Sequence, residues 1–339
     1  MNVHSFDVGV FGAGPAAIAF AIRLADLGIE AAVFDRPTQK NTWRGESLTG
    51  AIRQPLSALG LWEKFCRADH VRGYEQRIAW GGPPWEKNSM FAVHGNFWHV
   101  DRERFDMDLR RAVVERGIPF INFSRLEQVE NQGRMWRVGL DRDTEIDCRF
   151  LIDATGRSRV LARTLGTRPR LYDRLMAFTS LVARNSNSDF DHAMLLEATP
   201  LGWWYSAPVP RGHVLAFFTD PDLAPRRLTR SMKGVSANSS FLQSQTGERW
   251  LAIGDACAAH DPLCGWGVCR AMTNGILAAD AVGHSLTHDD DSPIEEYRHV
   301  CHNQFESYLE GLVRRYSYEQ RWASSPFWAR RSEPARQLA

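Results

Sequence analysis

Two glycine-bearing segments far apart in the chain constrain its fold more than any other feature. The first, Phe6-Asp7-Val8-Gly9-Val10-Phe11-Gly12-Ala13-Gly14-Pro15-Ala16-Ala17, reads as an apolar strand, a turn of small residues and the start of a helix. The second, Trp250-Leu251-Ala252-Ile253-Gly254-Asp255-Ala256, repeats the strand and turn, with Gly254 placed 240 residues after Gly14. A single turn of this kind signals a nucleotide only weakly. The pair at this separation predicts a bound FAD.

In the first turn Gly12 permits the tight bend and Gly14 lets the backbone approach a pyrophosphate. Ala17 keeps the following helix close to the strand, so that the phosphates meet the helix N-terminus. That helix is predicted from about Pro15 to Gly28, and the strand Ala31-Ala32-Val33-Phe34 ends at Asp35. An acid there, 23 residues after Gly12, suits the adenosine ribose hydroxyls.

At 339 residues the chain exceeds a single typical core and is expected to divide into two regions, one of them discontinuous. A net charge of +1 provides no bulk field for nucleic acid or anionic membrane, so neither is expected as a partner. The N-terminus enters a strand without a targeting pattern, and no run of about 18 apolar residues occurs, so the expected location is the cytoplasm. Six cysteines show neither Cys-x-x-Cys nor His/Cys ligand spacing, so no disulfide framework and no metal site are expected.

Beyond the βαβ start, the patterning predicts a helix from Leu48 to Phe65, a loop at Trp80-Gly81-Gly82-Pro83-Pro84-Trp85 and a helix over Asp101 to Gly117. Short strands follow at Pro119–Phe123, Leu126–Val129, Met135–Leu140, Thr144–Asp147 and Phe150–Ile152. Candidate strands between Met176 and Asp220 suggest a second, antiparallel sheet. A long helix is predicted from about Val268 to Leu286, the rest from 292 reads as helical, and the Ser-rich piece Ser236 to Ser244 reads as a mobile connection.

These segments carry a resemblance. The order Gly12-x-Gly14-x-x-Ala17, Arg44-Gly45-Glu46-Ser47, Asp101-Arg102-x-x-Phe105-Asp106, Asp153-Ala154-Thr155-Gly156 and Gly254-Asp255, then Asp261-Pro262-Leu263-x-Gly265-x-Gly267, resembles the FAD-dependent aromatic hydroxylase and halogenase superfamily over nearly the whole chain. Gly202-Trp203-Trp204-Tyr205-Ser206-Ala207-Pro208 and the terminal Glu319-x-Arg321-Trp322-x-x-x-Pro326-Phe327-Trp328 resemble a narrower branch. Those flavoproteins are related to tryptophan halogenases and modify tryptophan side chains of partner proteins during quinone-cofactor maturation.

The resemblance implies an α/β protein with a Rossmann-like FAD-binding domain of the aromatic hydroxylase type, an antiparallel-sheet substrate region and a helical C-terminus. The FAD-binding domain is expected over 1–60, 95–165 and 245–290, the substrate region over 61–94 and 166–244, and the helical segment over 291–339. It also implies flavin or pyrophosphate contacts at Arg44, Arg102 and Gly156, a ribityl acceptor at Asp255 beside Gly254, Pro262 against the isoalloxazine ring, and backbone from Gly265 to Gly267 near its pyrimidine edge. For Arg44 and Arg102 the competing reading is a surface ion pair. Two positions depart from the pattern: Asp35 stands where many relatives carry Glu, and Trp266 is bulky between two glycines.

His260 and Asp261, beside the second turn, are candidates for handling a proton, weighed equally against a helix-capping Asp with a packed His. Trp203, Tyr205 and Trp98 are candidates for lining a substrate cavity, against the alternative that they fill the core. His94 and His99 flank Trp98 and either border the pocket or pack the loop. The halogenase pattern needs a lysine that conveys hypohalous acid, and none occurs between Lys64 and Lys87, where we expect it. The sequence therefore favours an FAD monooxygenase hydroxylating a tryptophan in a peptide or protein, with reductant from NAD(P)H or from reduced flavin supplied by a partner reductase. A halogenase, a small-molecule hydroxylase and a non-catalytic FAD-holding assembly factor are the alternatives.

Overall fold

The computed structural model describes residues 3–36, 47–88, 95–141, 144–183 and 193–332. Its first layer is an eight-stranded sheet with the central order Thr246–Gly247, Trp250–Ala252, Thr144–Asp153, Val3–Phe11, Ala31–Asp35, Phe120–Asn122. The hairpin Leu126–Asn131 and Trp136–Leu140 pairs onto the N-terminal half of strand Thr144–Asp153. The pairs among the inner strands are parallel. Their apolar residues are buried on both faces, as in Ala31–Phe34.

Two helices, Pro15–Asp26 and Gly267–His288, lie side by side on this sheet at backbone contact distance. A Cβ on Gly275 would stand 2.5 Å from the Ala16 carbonyl oxygen, so only glycine permits the approach. That contact brings the two glycine turns together: a Cβ on Gly254 would stand 2.7 Å from the Ala16 Cβ.

The second layer is a seven-stranded sheet in the order Lys233–Ser236, Met176–Ala183, Gly212–Thr219, Gly202–Val209, Met194–Thr199, Glu75–Ala79, Trp85–Asn88. It is antiparallel as expected except between Met194–Thr199 and Glu75–Ala79, which run parallel. Helices Ser292–Ser317 and Pro326–Ser332 close the fold at the C-terminus. Arg331 is buried there, paired with the buried Asp220 at 3.2 Å and lying 3.9 Å over the Phe327 ring.

Three expectations need correction. The helix predicted from Leu48 to Phe65 is a short strand, Ser47–Leu48, followed by helical pieces at Gly50–Ile52, Arg53–Ala58 and Trp62–Arg67. The break falls at Gly60, whose φ of +67° reverses the chain while the Leu61 N–H bonds back to the Leu56 carbonyl at 2.7 Å. The two strands predicted at Thr144–Asp147 and Phe150–Ile152 are one, because Cys148 faces the core and its neighbours continue the pairing with Val3–Phe11. The segment from Ser236 to Ser244 is no loose connection: Ser239 and Ser240 are buried, and Ser240–Leu242 is a strand between Pro169–Leu171 and Ala258–Ala259.

Candidate functional site

The first turn fits a pyrophosphate. Gly12 has φ +109°, and a Cβ there would lie 2.3 Å from the Ala154 carbonyl oxygen, so the bend demands glycine. Gly14 is the N-cap of helix Pro15–Asp26, whose first turn has no side-chain cap and no acid. A Cβ on Gly14 would meet nothing within 4 Å, which leaves an open cradle over uncommitted N–H groups of the kind that bind phosphate. Asp35 ends its strand as predicted and accepts from Arg110 at 2.7 Å.

The second turn is built the same way. Gly254–Ala256 forms a short 3-10 turn, and Asp255, 45% exposed, stands 3.5 Å from Arg157. Pro262–Cys264 forms another 3-10 turn, Gly265 closes it at φ +67°, and Gly267 begins helix Gly267–His288. That helix has no side-chain cap, and neither Gly265 nor Gly267 has an atom within 4 Å of where a Cβ would stand. Its positive end is open to a group that becomes anionic on reduction.

The segment Asp153-Ala154-Thr155-Gly156 is a brace. Asp153 is fully buried and accepts from the Thr155 N–H at 2.9 Å, the Thr155 hydroxyl at 2.6 Å and the Ala162 N–H at 2.7 Å. Arg159 was not singled out from sequence. It is buried and joins this turn to the second one by donating to the Ala256 carbonyl at 2.9 Å and the Ser240 hydroxyl at 2.8 Å. Gly156 sits in the same turn at φ +65°. Arg102 lies on helix Arg102–Glu115 in an i,i+4 ion pair with Asp106 at 3.2 Å. Arg44 and His94 lie outside the described residues.

Asp261 is 2% exposed. It caps the Pro262–Cys264 turn by accepting from the Leu263 N–H at 2.8 Å, and it accepts from the Tyr316 hydroxyl at 2.7 Å. Tyr316 in turn receives the Trp203 indole N–H at 3.1 Å. The carboxyl thus orients the turn through the C-terminal helix. His260 packs against Phe305 and Tyr308, with ring centroids at 5.5 and 4.5 Å, and its Nε2 has no hydrogen-bond partner. Burial, then the charges of Arg270 and Arg157, hold it neutral far below the usual histidine range.

Burial, with the charge of Asp173, raises the Asp261 carboxyl from 3.8 to about 7. The folded state therefore holds this proton more tightly than the unfolded state, and the stabilisation is present below about 4 and lost as pH rises through about 7. Unfolding Asp261→Asn beside the wild type at pH 4 and pH 8 is expected to show the variant gaining relative stability at the higher pH. A pH-independent difference would mean that the carboxyl is unperturbed.

The substrate candidates separate. Trp203 is 1% exposed and stacks on Phe218 at 3.8 Å, so it belongs to the core rather than to a cavity wall. Trp98 is 7% exposed and packs edge-on against Trp62 and Phe65, so it too fills the interior. Tyr205 is half-buried, with its hydroxyl 2.6 Å from Ser47 Oγ. The cleft itself, about 380 Å³, is lined by Ile78, Trp80, Trp85, Leu196, Leu263, Arg315 and Tyr318. Sequence reading missed these residues, although two of them bracket the Gly-Gly-Pro-Pro loop. Trp85 and Tyr318 are 48% and 64% exposed at its rim, and Leu263 places its floor beside Pro262.

A parallel sheet with glycine turns at the C-terminal ends of two of its strands, and an aromatic cleft lined in part by a second sheet, define a flavin-dependent oxidoreductase. The chain belongs to the tryptophan halogenase family, whose model matches residues 75–338. The putative FAD-dependent oxidoreductase LodB of Marinomonas mediterranea is 27% identical over 97% of each chain. The myxobacterial chondrochloren halogenase CndH shares the fold with a TM-score of 0.84 at 20% identity, over 97% of this chain and 86% of that one. The peptidyl tryptophan dihydroxylase QhpG shares it with a TM-score of 0.78 at 22% identity, over 97% and 79%. Among the described residues no helix is long and apolar enough to cross a membrane, and no group of three or more His, Cys, Asp or Glu could hold a metal.

Proposed function

We propose that the protein is an FAD-dependent monooxygenase that hydroxylates an aromatic ring, with a tryptophan side chain in a peptide or protein as its substrate. The observation that carries this reading is the cleft over the Leu263 turn, whose aromatic rim of Trp85 and Tyr318 opens to solvent and admits a ring still attached to a larger chain. Flavin supplies oxygen activation when bound. The chain's own part is to hold the ring between Trp80, Ile78 and Leu196, to exclude water there, and to fix the turn beneath through Asp261. Reducing equivalents come from transient NAD(P)H or from reduced flavin delivered by a partner reductase.

The family and the CndH halogenase favour a second reading, halogenation of the same ring. Against it stands the lack of any lysine between Lys64 and Lys87, and Lys64 is committed to Glu115 at 2.9 Å on the surface. Turnover under labelled oxygen, with peptide-borne and free tryptophan side by side and with or without bromide, decides between them. We expect labelled oxygen in the peptide product, no change of product mass with bromide, and poor conversion of free tryptophan, because remote contacts supply the energy that orients the ring. A brominated product would overturn the hydroxylase reading. Efficient conversion of free tryptophan would overturn the protein substrate.

A further inference from the structure

The wall of the cleft continues into a chain of polar groups that the flavin site does not use. In strand register Trp85 pairs with Ile78, Ile78 with Leu196, and Leu196 with Tyr205. Directly opposed residues present their side chains to the same face of a sheet, and the first three of these line the cleft. Tyr205 is therefore the next side chain on that face of the sheet, beside the cleft-lining Leu196. Its hydroxyl is 2.6 Å from Ser47 Oγ, which is 2.7 Å from His99 Nδ1. Ser47 and His99 pair across a separate three-stranded sheet, so the chain passes from one sheet into another.

His99 is completely buried, and its Nε2 has no hydrogen-bond partner. An unpartnered polar atom in the interior costs about 1 to 3 kcal/mol, which apolar side chains of the same volume would avoid. Unlike His260, whose Nε2 is likewise unpartnered but whose ring packs among aromatics, His99 is joined through Nδ1 to a chain of hydroxyls. Burial, and then the neighbouring His213, lower the His99 imidazole to about 3, so it is neutral throughout the working range.

We propose that Tyr205, Ser47 and His99 form a proton relay that takes up the proton an aromatic ring loses when it is substituted. This rests on the ring-modifying reading given above. Substitution leaves one ring carbon carrying both the new group and its hydrogen. The C–H electron pair returns to the ring as the proton passes to the Tyr205 hydroxyl oxygen, the Tyr205 proton to Ser47 Oγ, and the Ser47 proton to His99 Nδ1. One C–H bond breaks, one N–H bond forms, and no oxidant is consumed. The proton returns by the same path to water when product leaves. A weak base suffices, because the substituted ring cation is a far stronger acid than imidazolium, and weak basicity keeps His99 unprotonated between turnovers. Tyr205 is the catalytic member; Ser47 and His99 position it and accept its proton.

The test combines nitrogen NMR of the His99 ring with turnover of a tryptophan peptide deuterated on the ring. In the wild type we expect Nδ1 to be the unprotonated nitrogen, and Tyr205→Phe to shift its signal. Product formation in Tyr205→Phe should fall about 100-fold, the lower end of what proton transfer to a positioned side chain contributes, and a primary isotope effect absent from the wild type should appear. Retained FAD shows that the variant is folded, and Ser47→Ala, which removes one oxygen, carries the same test if Tyr205→Phe does not hold flavin. A protonated Nδ1 in the resting protein, wild-type turnover in both variants, or slowing without an isotope effect would each overturn the relay. A wild type that modifies no ring would sink the ring-modifying reading itself and the relay with it, and this is seen before any variant is made.

Discussion

A Gly14→Asp variant is expected to fold, to melt no lower than the wild type, and to bind FAD about 100-fold or more weakly. Gly14 has φ −82° and ψ 177°, which any residue adopts, and its side-chain position is empty. Asp is moreover a preferred helix N-cap, so its carboxylate would accept from the first-turn N–H groups and stabilise the protein without ligand by about 1 kcal/mol. Those are the groups the pyrophosphate needs. A fixed negative charge in their place removes two charge-assisted hydrogen bonds, each worth about 1.5 to 3 kcal/mol, and adds repulsion. Flavin fluorescence titration beside a thermal melt separates lost binding from lost folding. Unchanged FAD affinity in the folded variant would remove the nucleotide assignment. Gly12→Ala makes the contrast, because its Cβ would collide with the Ala154 backbone and damage the fold itself.

Asp220→Ala is expected to cost about 3 to 5 kcal/mol of stability, a large share of the ~5 to 15 kcal/mol typical of a folded protein. Asp220 is 2% exposed and Arg331 8%, so removing the carboxylate leaves a buried guanidinium without its ion partner. Arg331→Met should cost less, because Asp220 keeps Arg330 at 2.8 Å and the methionine can cover Phe327. Urea unfolding of both variants checks the ranking. Negligible losses in both variants would show that the helix Pro326–Ser332 is held by its apolar face alone.

The nucleotide half of the molecule was readable because its constraints are local. A strand, a turn that excludes side chains and a helix cap all fall within a dozen consecutive residues, and Gly12, Gly14 and Gly254 stand where that grammar puts them. The helix Arg102–Glu115, capped by Asp101 and ended before Gly117, was legible for the same reason. The cleft was not, because burial of an aromatic residue depends on partners distant in sequence. Trp203 and Trp85 look alike along the chain, yet the first lies beneath Phe218 and Tyr316 while the second stands at an edge. Asp261 shows the intermediate case. Its capping role follows from the Asp-Pro turn, but its hydroxyl partner, Tyr316, is 55 residues away.

The cleft walls come from four stretches of chain: 78–85, Leu196, Leu263 and 315–318. During synthesis the strand Val3–Phe11 gains its partner Thr144–Asp153 early, and the second glycine turn arrives at residue 254, so the nucleotide half can consolidate while the ribosome is still translating. Of the cleft residues, Arg315 and Tyr318 emerge after all the others and must close a loop of more than two hundred residues to meet Ile78 and Trp80, at an entropic cost that packing of the finished cleft must offset. Birth order thus sets the order of assembly: the cleft is completed only after both glycine turns have been made.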